Sequence, residues 1–111
     1  MLKELTCRYI QAFDAKDLDA VAALLCNTFA LEDPVVKRIE GKEAALDAIK
    51  AIFDSCGTLD FRAKNIYEEG RTTVIEFILT LDETVLTGTD IIEWNDTGLM
   101  QELRAYLDIP K

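Results

Sequence analysis

Residues 30–34 read Ala30-Leu31-Glu32-Asp33-Pro34, and this stretch decides how the rest of the chain is arranged. Pro34 restricts Asp33 to extended conformations and stops any helix that arrives from the N-terminal side. The stretch therefore predicts a first strand over residues 29–32 that leads directly into a carboxylate. A carboxylate at the end of a strand is well placed to form the rim of a pocket.

Helical patterns lie on both sides of this strand. Apolar side chains recur in steps of three and four through residues 2–15, which predicts a first helix. Asp17 is a suitable N-cap for a second helix over residues 18–26. Residues 35–40 predict an irregular connection with room for a short strand, and residues 42–55 predict a third helix.

From Leu59 onward the chain predicts only strands and turns. Residues 72–81 are apolar on both faces, which is typical of a strand inside a sheet, and residues 84–94 and 99–107 continue the pattern. On the preceding strand, one face is expected to hold Leu59, Phe61, Ala63 and Asn65. Helices followed by an antiparallel meander predict one α+β domain, 1–111, with the helices on one face of the sheet. The apolar second face of the sheet predicts a homodimer.

Composition and charge exclude several classes of function. The 111 residues carry 21 acidic and 12 basic side chains, a net charge of -9, so we expect no nucleic-acid partner and no membrane partner. The chain has no 18-residue apolar run and no leader pattern, which predicts a cytoplasmic protein. Its odd, widely spaced set of cysteines, Cys7, Cys26 and Cys56, predicts buried free thiols rather than disulfides.

The chain contains no histidine. This removes Ser-His-Asp and Cys-His catalysis and also the commonest transition-metal ligand. No Gly-rich phosphate loop is present, and the acidic pairs fall at separate chain reversals, so we expect no cofactor and no metal. Any chemistry must therefore use carboxylates, tyrosine hydroxyls, arginine, lysine or thiols.

Asp33 is a candidate for that chemistry because of its position, and a resemblance to a known superfamily adds Tyr9 and Asp90. The neighbours of Asp90 two positions away are Gly88 and Ile92, so its carboxyl must either pair or hold a proton at a raised pKa. A simpler structural role is open for each candidate. Asp33 suits a turn, Tyr9 suits a core aromatic position, and Asp90 suits an anchor between sheet and helix.

Several short motifs together resemble a known superfamily. They are Tyr9-x3-Phe13, Lys16-Asp17-Leu18-Asp19, Leu24-Leu25, Glu32-Asp33-Pro34, Gly41-Lys42 and Gly88-Thr89-Asp90-Ile91-Ile92-Glu93-Trp94 followed by Gly98. In these motifs the chain resembles the nuclear transport factor 2-like superfamily, which includes SnoaL-like polyketide cyclases and ketosteroid isomerase. The resemblance covers almost the whole chain. It implies a cone-shaped, cystatin-like α+β fold, a pocket between the first helix and the sheet, and a homodimer.

Ketosteroid isomerase is the closest functional comparison. Tyr9, Asp33 and Asp90 match its first-helix tyrosine, its Asp-Pro and the aspartate of its penultimate strand. The resemblance implies that Asp33 moves a proton between carbons while Tyr9 and a protonated Asp90 donate hydrogen bonds to the enolate oxygen. It also implies a small apolar carbonyl ligand. The expected ligand contacts are Phe13, Phe53, Phe77, Leu79, Leu86, Ile92, Trp94 and Leu103.

Three other functions are compatible with the same fold. A non-catalytic ligand carrier would use the same pocket without turnover. A dimerisation or adaptor module would have a filled interior with Tyr9 bonded to Asp90. An epoxide-hydrolase-like Asp-Arg-Asp site would need an inward arginine, whereas we expect Arg62 and Arg104 to face solvent or a dimer partner.

Overall fold

The computed structural model describes residues 1–34 and 37–108. Its elements, in chain order, are α1 (Leu2–Asp14), α2 (Leu18–Ala22), β1 (Leu25–Asp33), β2 (Lys37–Glu40), α3 (Lys42–Asp54), β3 (Leu59–Glu69), β4 (Thr72–Leu81), β5 (Thr84–Trp94) and β6 (Met100–Asp108). The predicted α+β class is confirmed. The short strand foreseen in the connection after Pro34 is β2, while residues 35 and 36 of that connection lie outside the described residues.

The strands of this part of the chain form one six-stranded sheet in the order β2-β1-β6-β5-β4-β3. Strands β3 to β6 are the predicted antiparallel meander. Strand β1 is antiparallel to β2 but parallel to β6, with Leu31 opposite Leu103 and Glu32 opposite Arg104. The strand that ends at Asp33 is therefore a direct neighbour of the last strand.

The helices cover one face of the sheet, as predicted. Helix α1 buries Tyr9 and Phe13, and helix α3 buries Ala45, Ile49 and Phe53. Beneath them, buried side chains alternate along β4 and the other strands with a period of two. The core is thus a layer of aliphatic and aromatic side chains between the helices and the inward face of the sheet.

The second helix is shorter than predicted. Asp17 is its N-cap and accepts a hydrogen bond from the Ala20 amide at 3.1 Å, but the helix ends at Ala22 rather than at residue 26. The Met100 amide donates to the Leu24 carbonyl at 2.7 Å, and β1 begins at the next residue rather than at residue 29. Pairing with β6 satisfies these backbone groups, and so it overrides the local helical pattern.

The outward face of the sheet differs from the expected apolar surface. On β4 the outward side chains are only partly buried in the single chain, including Val74, Glu76 and Ile78. Glu76 accepts hydrogen bonds from Asn65 at 3.0 Å and Tyr67 at 2.9 Å. This face is therefore a mixture of apolar and hydrogen-bonded polar groups.

All three cysteines are free thiols, and Cys26 and Cys56 are buried as expected. Cys7 is exposed, which corrects the expectation, because it lies on the side of α1 that faces away from the sheet. Within residues 1–34 and 37–108, no helix combines the length and the apolar character needed to cross a membrane.

Candidate functional site

A cavity of about 80 Å³ lies between the helices and the inward face of the sheet. We call it the inner cavity. Its three polar side chains are Tyr9, Asp33 and Asp90, the same residues that the sequence nominates. The other lining side chains are apolar: Phe13, Leu25, Phe29, Leu31, Ile49, Ile52, Phe61, Phe77, Leu79, Leu103, Ala105 and Leu107.

Strand alternation and register bring the two acids to this cavity. Leu31 and Asp33 are two residues apart on β1 and so share a face, and Leu31 lies opposite Leu103 on β6. Two residues beyond Leu103 is Ala105, which lies opposite Asp90 on β5. The two acidic residues thus flank the small Ala105 side chain, about two strand spacings or ~10 Å apart at the backbone. Space between them is therefore open to a ligand.

Asp90 is the most strongly perturbed acid at the site. Its side chain is 4% exposed and lies across from Ile75 on one side and Ala105 on the other. This burial raises the pKa of the Asp90 carboxyl to about 7. In the part of the chain that the structure describes, no hydrogen bond or ion pair compensates it. Near neutral pH a large fraction of Asp90 therefore carries a proton that it can donate to a ligand.

Tyr9 is a second donor at the same place. Burial, followed by the charge of Asp90, raises the pKa of the Tyr9 hydroxyl well above its ordinary value, so this group stays protonated. Its ring is held by Phe13, with centroids 5.9 Å apart, and by the edge-to-face ring of Phe61 at 6.2 Å. Among the described residues no hydrogen bond joins Tyr9 to Asp90, which is the bond that the adaptor alternative requires.

Asp33 lies in a different environment from the other two. It is the last residue of β1, it is half-buried, and it precedes the exposed Pro34. Ile52 and Leu107 of the lining are also half-buried, so this side of the inner cavity is its solvent side. The site therefore combines two dry proton donors with one carboxylate near the opening.

Half of the expected ligand contacts line the inner cavity. Phe13, Phe77, Leu79 and Leu103 do so. Phe53 and Leu86 do not. The ring of Phe53 lies behind Phe13, edge-to-face at 5.0 Å, and Leu86 is half-buried near the β4–β5 turn.

Ile92 and Trp94 are also outside the lining and belong to the packed core beyond the cavity. Ile92 is fully buried between Thr73 and Leu103 on the neighbouring strands. The Trp94 indole N–H donates to the Thr73 hydroxyl at 2.9 Å. The Thr73 and Thr6 hydroxyls are in turn hydrogen-bonded at 2.9 Å, which ties β5 and β4 to α1.

Some lining residues were missed at the sequence level. Phe29 and Leu31 precede Asp33 by four and two residues on the same strand, so strand alternation from Asp33 could have identified them. Phe61 could have been found on the inward face of β3. Ile49 and Ile52 lie on the apolar stripe of α3, but which part of that stripe borders a cavity depends on tertiary packing.

An Asp-Arg-Asp site and a metal site would both need other side chains, and the described residues support neither. Arg104 is outside the lining and pairs with Glu93 at 2.9 Å, and the exposed Arg62 pairs with Asp60 at 2.8 Å. Neither supplies the inward cation of an Asp-Arg-Asp site. Residues 1–34 and 37–108 also contain no group of three or more Cys, Asp or Glu side chains that could hold a metal ion.

A curved six-stranded sheet covered on one face by three helices is the nuclear transport factor 2-like fold. The profile of the SnoaL-like domain matches residues 7–103, and the chain belongs to that family. No curated protein matches the chain by sequence.

Solved structures from three bacteria share this fold. A proposed ketosteroid isomerase from Kribbella flavida superposes with a TM-score of 0.86 at 21% identity, covering 99% of this chain and 79% of its own. A proposed SnoaL-like polyketide cyclase from Jannaschia has a TM-score of 0.86 at 19% identity, with coverages of 96% and 85%. A nuclear transport factor 2-like protein of unknown function from Cytophaga hutchinsonii has a TM-score of 0.85 at 16% identity, with coverages of 97% and 90%. At these identities the likeness establishes the fold alone.

Proposed function

We propose that the inner cavity binds a small apolar carbonyl compound and that the protein moves a proton between carbons next to that carbonyl. The observation that carries this proposal is that Tyr9, Asp33 and Asp90 line one otherwise apolar cavity. The reaction class is isomerisation of an unsaturated ketone or aldol-type cyclisation. Both reactions pass through an enolate, whose oxygen needs hydrogen-bond donors in a dry place.

Each of the three side chains has one role in this mechanism. The Asp33 carboxylate accepts a proton from the carbon next to the carbonyl, and negative charge moves to the carbonyl oxygen. Tyr9 and protonated Asp90 donate hydrogen bonds to that oxygen. In an isomerisation, Asp33 then returns the proton to the γ carbon, the far end of the original double bond. That double bond moves into conjugation with the carbonyl, so no other reagent is consumed.

The similar structures support this proposal by analogy. One of them is described as a proposed ketosteroid isomerase and another as a proposed SnoaL-like polyketide cyclase, names that denote enolate chemistry. Fold similarity alone does not establish a reaction. The main support for the proposal is therefore the placement of Tyr9, Asp33 and Asp90 in this chain.

The substitution Asp33→Asn tests the base. We expect turnover of a β,γ-unsaturated ketone to fall by about 10²-fold or more, because an amide cannot accept the proton. The matched control is Glu32→Gln. Glu32 is the adjacent acid on the opposite face of β1, where it pairs with Arg38 at 3.2 Å, and its loss should leave turnover unchanged.

Two outcomes would contradict the proposal. Equal turnover by a folded Asp33→Asn variant would remove Asp33 from the mechanism. Ligand-induced stabilisation of the wild-type protein without any product would mean that the protein is a non-catalytic carrier or sensor.

We also propose that the protein is a cytoplasmic homodimer. Tyr67, Val85 and Tyr106 lie on the outward face of the sheet and are each more than 50% exposed in the single chain. A second copy on this face would bury them. Three unpaired cysteines suit a reducing compartment. Sedimentation should give twice the mass of one chain, and a monomer at micromolar concentration would contradict the dimer.

A further inference from the structure

We propose that the inner cavity selects uncharged carbonyl compounds of one ring or a short chain and excludes fused-ring ligands of steroid size. The carbonyl part of this inference rests on the proposed function. The limits on size and charge rest on the walls of the cavity and can be tested by binding alone.

The volume of the cavity sets the first limit. An apolar protein cavity of about 150 Å³ holds one benzene molecule, and pockets for drug-sized ligands measure about 300–1,000 Å³. The inner cavity, at about 80 Å³, is smaller than both. It can therefore enclose the carbonyl and a few neighbouring carbons, with the rest of a single ring or short chain reaching the solvent side, whereas the adjoining rings of a fused skeleton would meet the cavity wall.

The aromatic side chains that line the cavity cannot easily move outward to enlarge it. The ring of Phe13 lies between Phe53 and Phe61, with centroid distances of 5.0 Å and 4.9 Å, and Phe61 contacts Phe77 at 5.3 Å. Each ring is thus held by at least one other ring. Moving one of them outward would disrupt the packing of the next.

Gly88 of β5 packs against the Phe77 ring of the cavity wall. It lies opposite Phe77 in the β4–β5 pair, and a Cβ atom built at Gly88 would be 2.9 Å from Phe77 Cζ. The same Cβ would be 2.4 Å from the Tyr106 carbonyl oxygen. The Phe77 ring therefore packs directly on the backbone of β5 and has no space behind it to move into.

Among the residues that the structure describes, the solvent side is where a ligand can extend. Asp33, Ile52 and Leu107 are half-buried there, so a substituent can pass between them toward water. A ligand that carries its own negative charge is disfavoured inside, because the lining residues described include two carboxyl groups and no cation. A buried anion without a counter-charge loses its hydration without compensation.

Phe61 is the residue that sets the size limit. Its ring contacts Tyr9 at 6.2 Å, Phe13 at 4.9 Å and Phe77 at 5.3 Å, so it lies at the centre of the aromatic wall. Shortening this side chain enlarges the cavity and keeps all three polar side chains, but it removes one of the two ring contacts of Tyr9. The expected consequence is a change in ligand size preference rather than in chemistry.

The test measures binding of the two neutral probes in the Asp33→Asn background, where turnover cannot interfere, and binding of the anionic probe to the wild-type protein, which keeps both carboxyl groups. The probes are 2-cyclohexen-1-one, the steroid androst-5-ene-3,17-dione and cyclohexanecarboxylate. Their binding is measured by ligand-observed NMR and by the thermal shift of the protein. We expect the cyclic enone to bind at least tenfold more tightly than the steroid or the carboxylate. Phe61→Ala should shift the enone-to-steroid ratio toward the steroid by at least tenfold.

Two further variants keep the test decisive. Phe61→Leu should shift the same ratio in the same direction by a smaller factor if Phe61→Ala does not fold. Trp94→Phe changes a buried ring outside the lining and should leave the ratio unchanged.

Tight steroid binding by the starting protein, absence of enone binding, or an unchanged ratio in folded Phe61→Leu would overturn the inference. Enone binding with steroid exclusion but no turnover by the wild-type protein would refute the proposed function and leave the size limit standing.

Discussion

Acidic side chains on the two faces of the sheet have different partners. On the outward face, Arg38 pairs with Glu32, Glu40 and Glu102, and Arg104 pairs with Glu93 and Glu102. On the inward face, Asp90 is buried among apolar side chains, and the cavity lining contains no cation among residues 1–34 and 37–108. The same functional group is thus neutralised by partners on one face and by protonation on the other.

The pKa values follow this difference. Hydrogen bonds from Thr72 and Arg104 lower the pKa of Glu93, while burial raises that of Asp90 to about 7. The comparison teaches that local partners, rather than residue type, decide which acid can donate a proton near neutral pH. The outward acids have arginine partners, whereas Asp90 has none in the described lining, so its carboxyl can form a hydrogen bond with a ligand.

The largest effect on stability is expected from Asp90→Asn. The raised pKa means that the native state binds more protons than the unfolded state between about pH 4 and pH 7, so stability falls across that window as the pH rises. Removing the carboxyl should stabilise the protein by up to ~4 kcal/mol at pH 8 and by little below pH 4. Urea unfolding at a series of pH values measures this.

Glu93→Gln on the outward face is the matched control for Asp90→Asn. Its pKa is lowered, so its contribution to stability has the opposite sign and is lost as the pH falls. If the two variants gave the same pH dependence, the contrast between the faces would be wrong. Tyr9 and Asp33 share the cavity with Asp90 and remain unchanged in both variants.

An intermediate effect is expected from Thr73→Val. Thr73 is a buried polar residue of the inward face that does have partners, the Trp94 indole and the Thr6 hydroxyl. Valine leaves the indole N–H unpaired, which should cost about 1–3 kcal/mol at every pH. Thermal and urea unfolding measure the loss, and Thr87→Val at an exposed position of β5 should cost far less. A pH-dependent loss would contradict this account.

The smallest effect is expected from Arg104→Met. Its ion pairs with Glu93 and Glu102 are on the outward face, where the arginine side chain is 26% exposed. Partly hydrated pairs of this kind contribute about 0–1 kcal/mol, and salt weakens them. The difference from wild type should therefore shrink between 0.05 and about 0.5 M salt. A loss comparable to that of Thr73→Val would show that the outer network is more important than the comparison implies.

Much of the architecture was readable from periodicity. The helical stripes of α1 and α3 and the meander from β3 to β6 lie where the apolar spacing predicts them. Tyr9, Asp33 and Asp90 share one cavity because a helix stripe and two strand faces point into the same layer. Each of these three positions is fixed by a short-range pattern.

The features that could not be predicted from the sequence depend on pairing between strands that are far apart in the chain. The stretch Leu24-Leu25-Cys26 suits a helix or a strand equally well, and its partner Met100 comes from the other end of the described chain. In β3 a bulge between Ala63 and Asn65 shifts the alternation, so Asn65 is exposed and Ile66 is half-buried instead. Both outcomes are set by neighbours that local periodicity does not contain.

The cavity wall was unpredictable for a related reason. Phe53 and Trp94 are apolar, inward and close in sequence to lining residues, yet each lies one packing layer away from the cavity. Which ring forms the wall and which stands behind it depends on how the rings interlock. That arrangement exists only after the core has been assembled.

The parallel pairing of β1 with β6 has a consequence for the order of assembly. The meander can grow by successive hairpins, but Asp33 gains its β6 neighbours only after a strand from the other end of the chain has formed. A nascent chain that lacks β6 would hold an unfinished, water-filled groove. We therefore expect the β1 amides that bond to β6 to gain protection after those paired with β2 in pulse-labelled hydrogen exchange, so that the protein acquires any activity only in its final folding step.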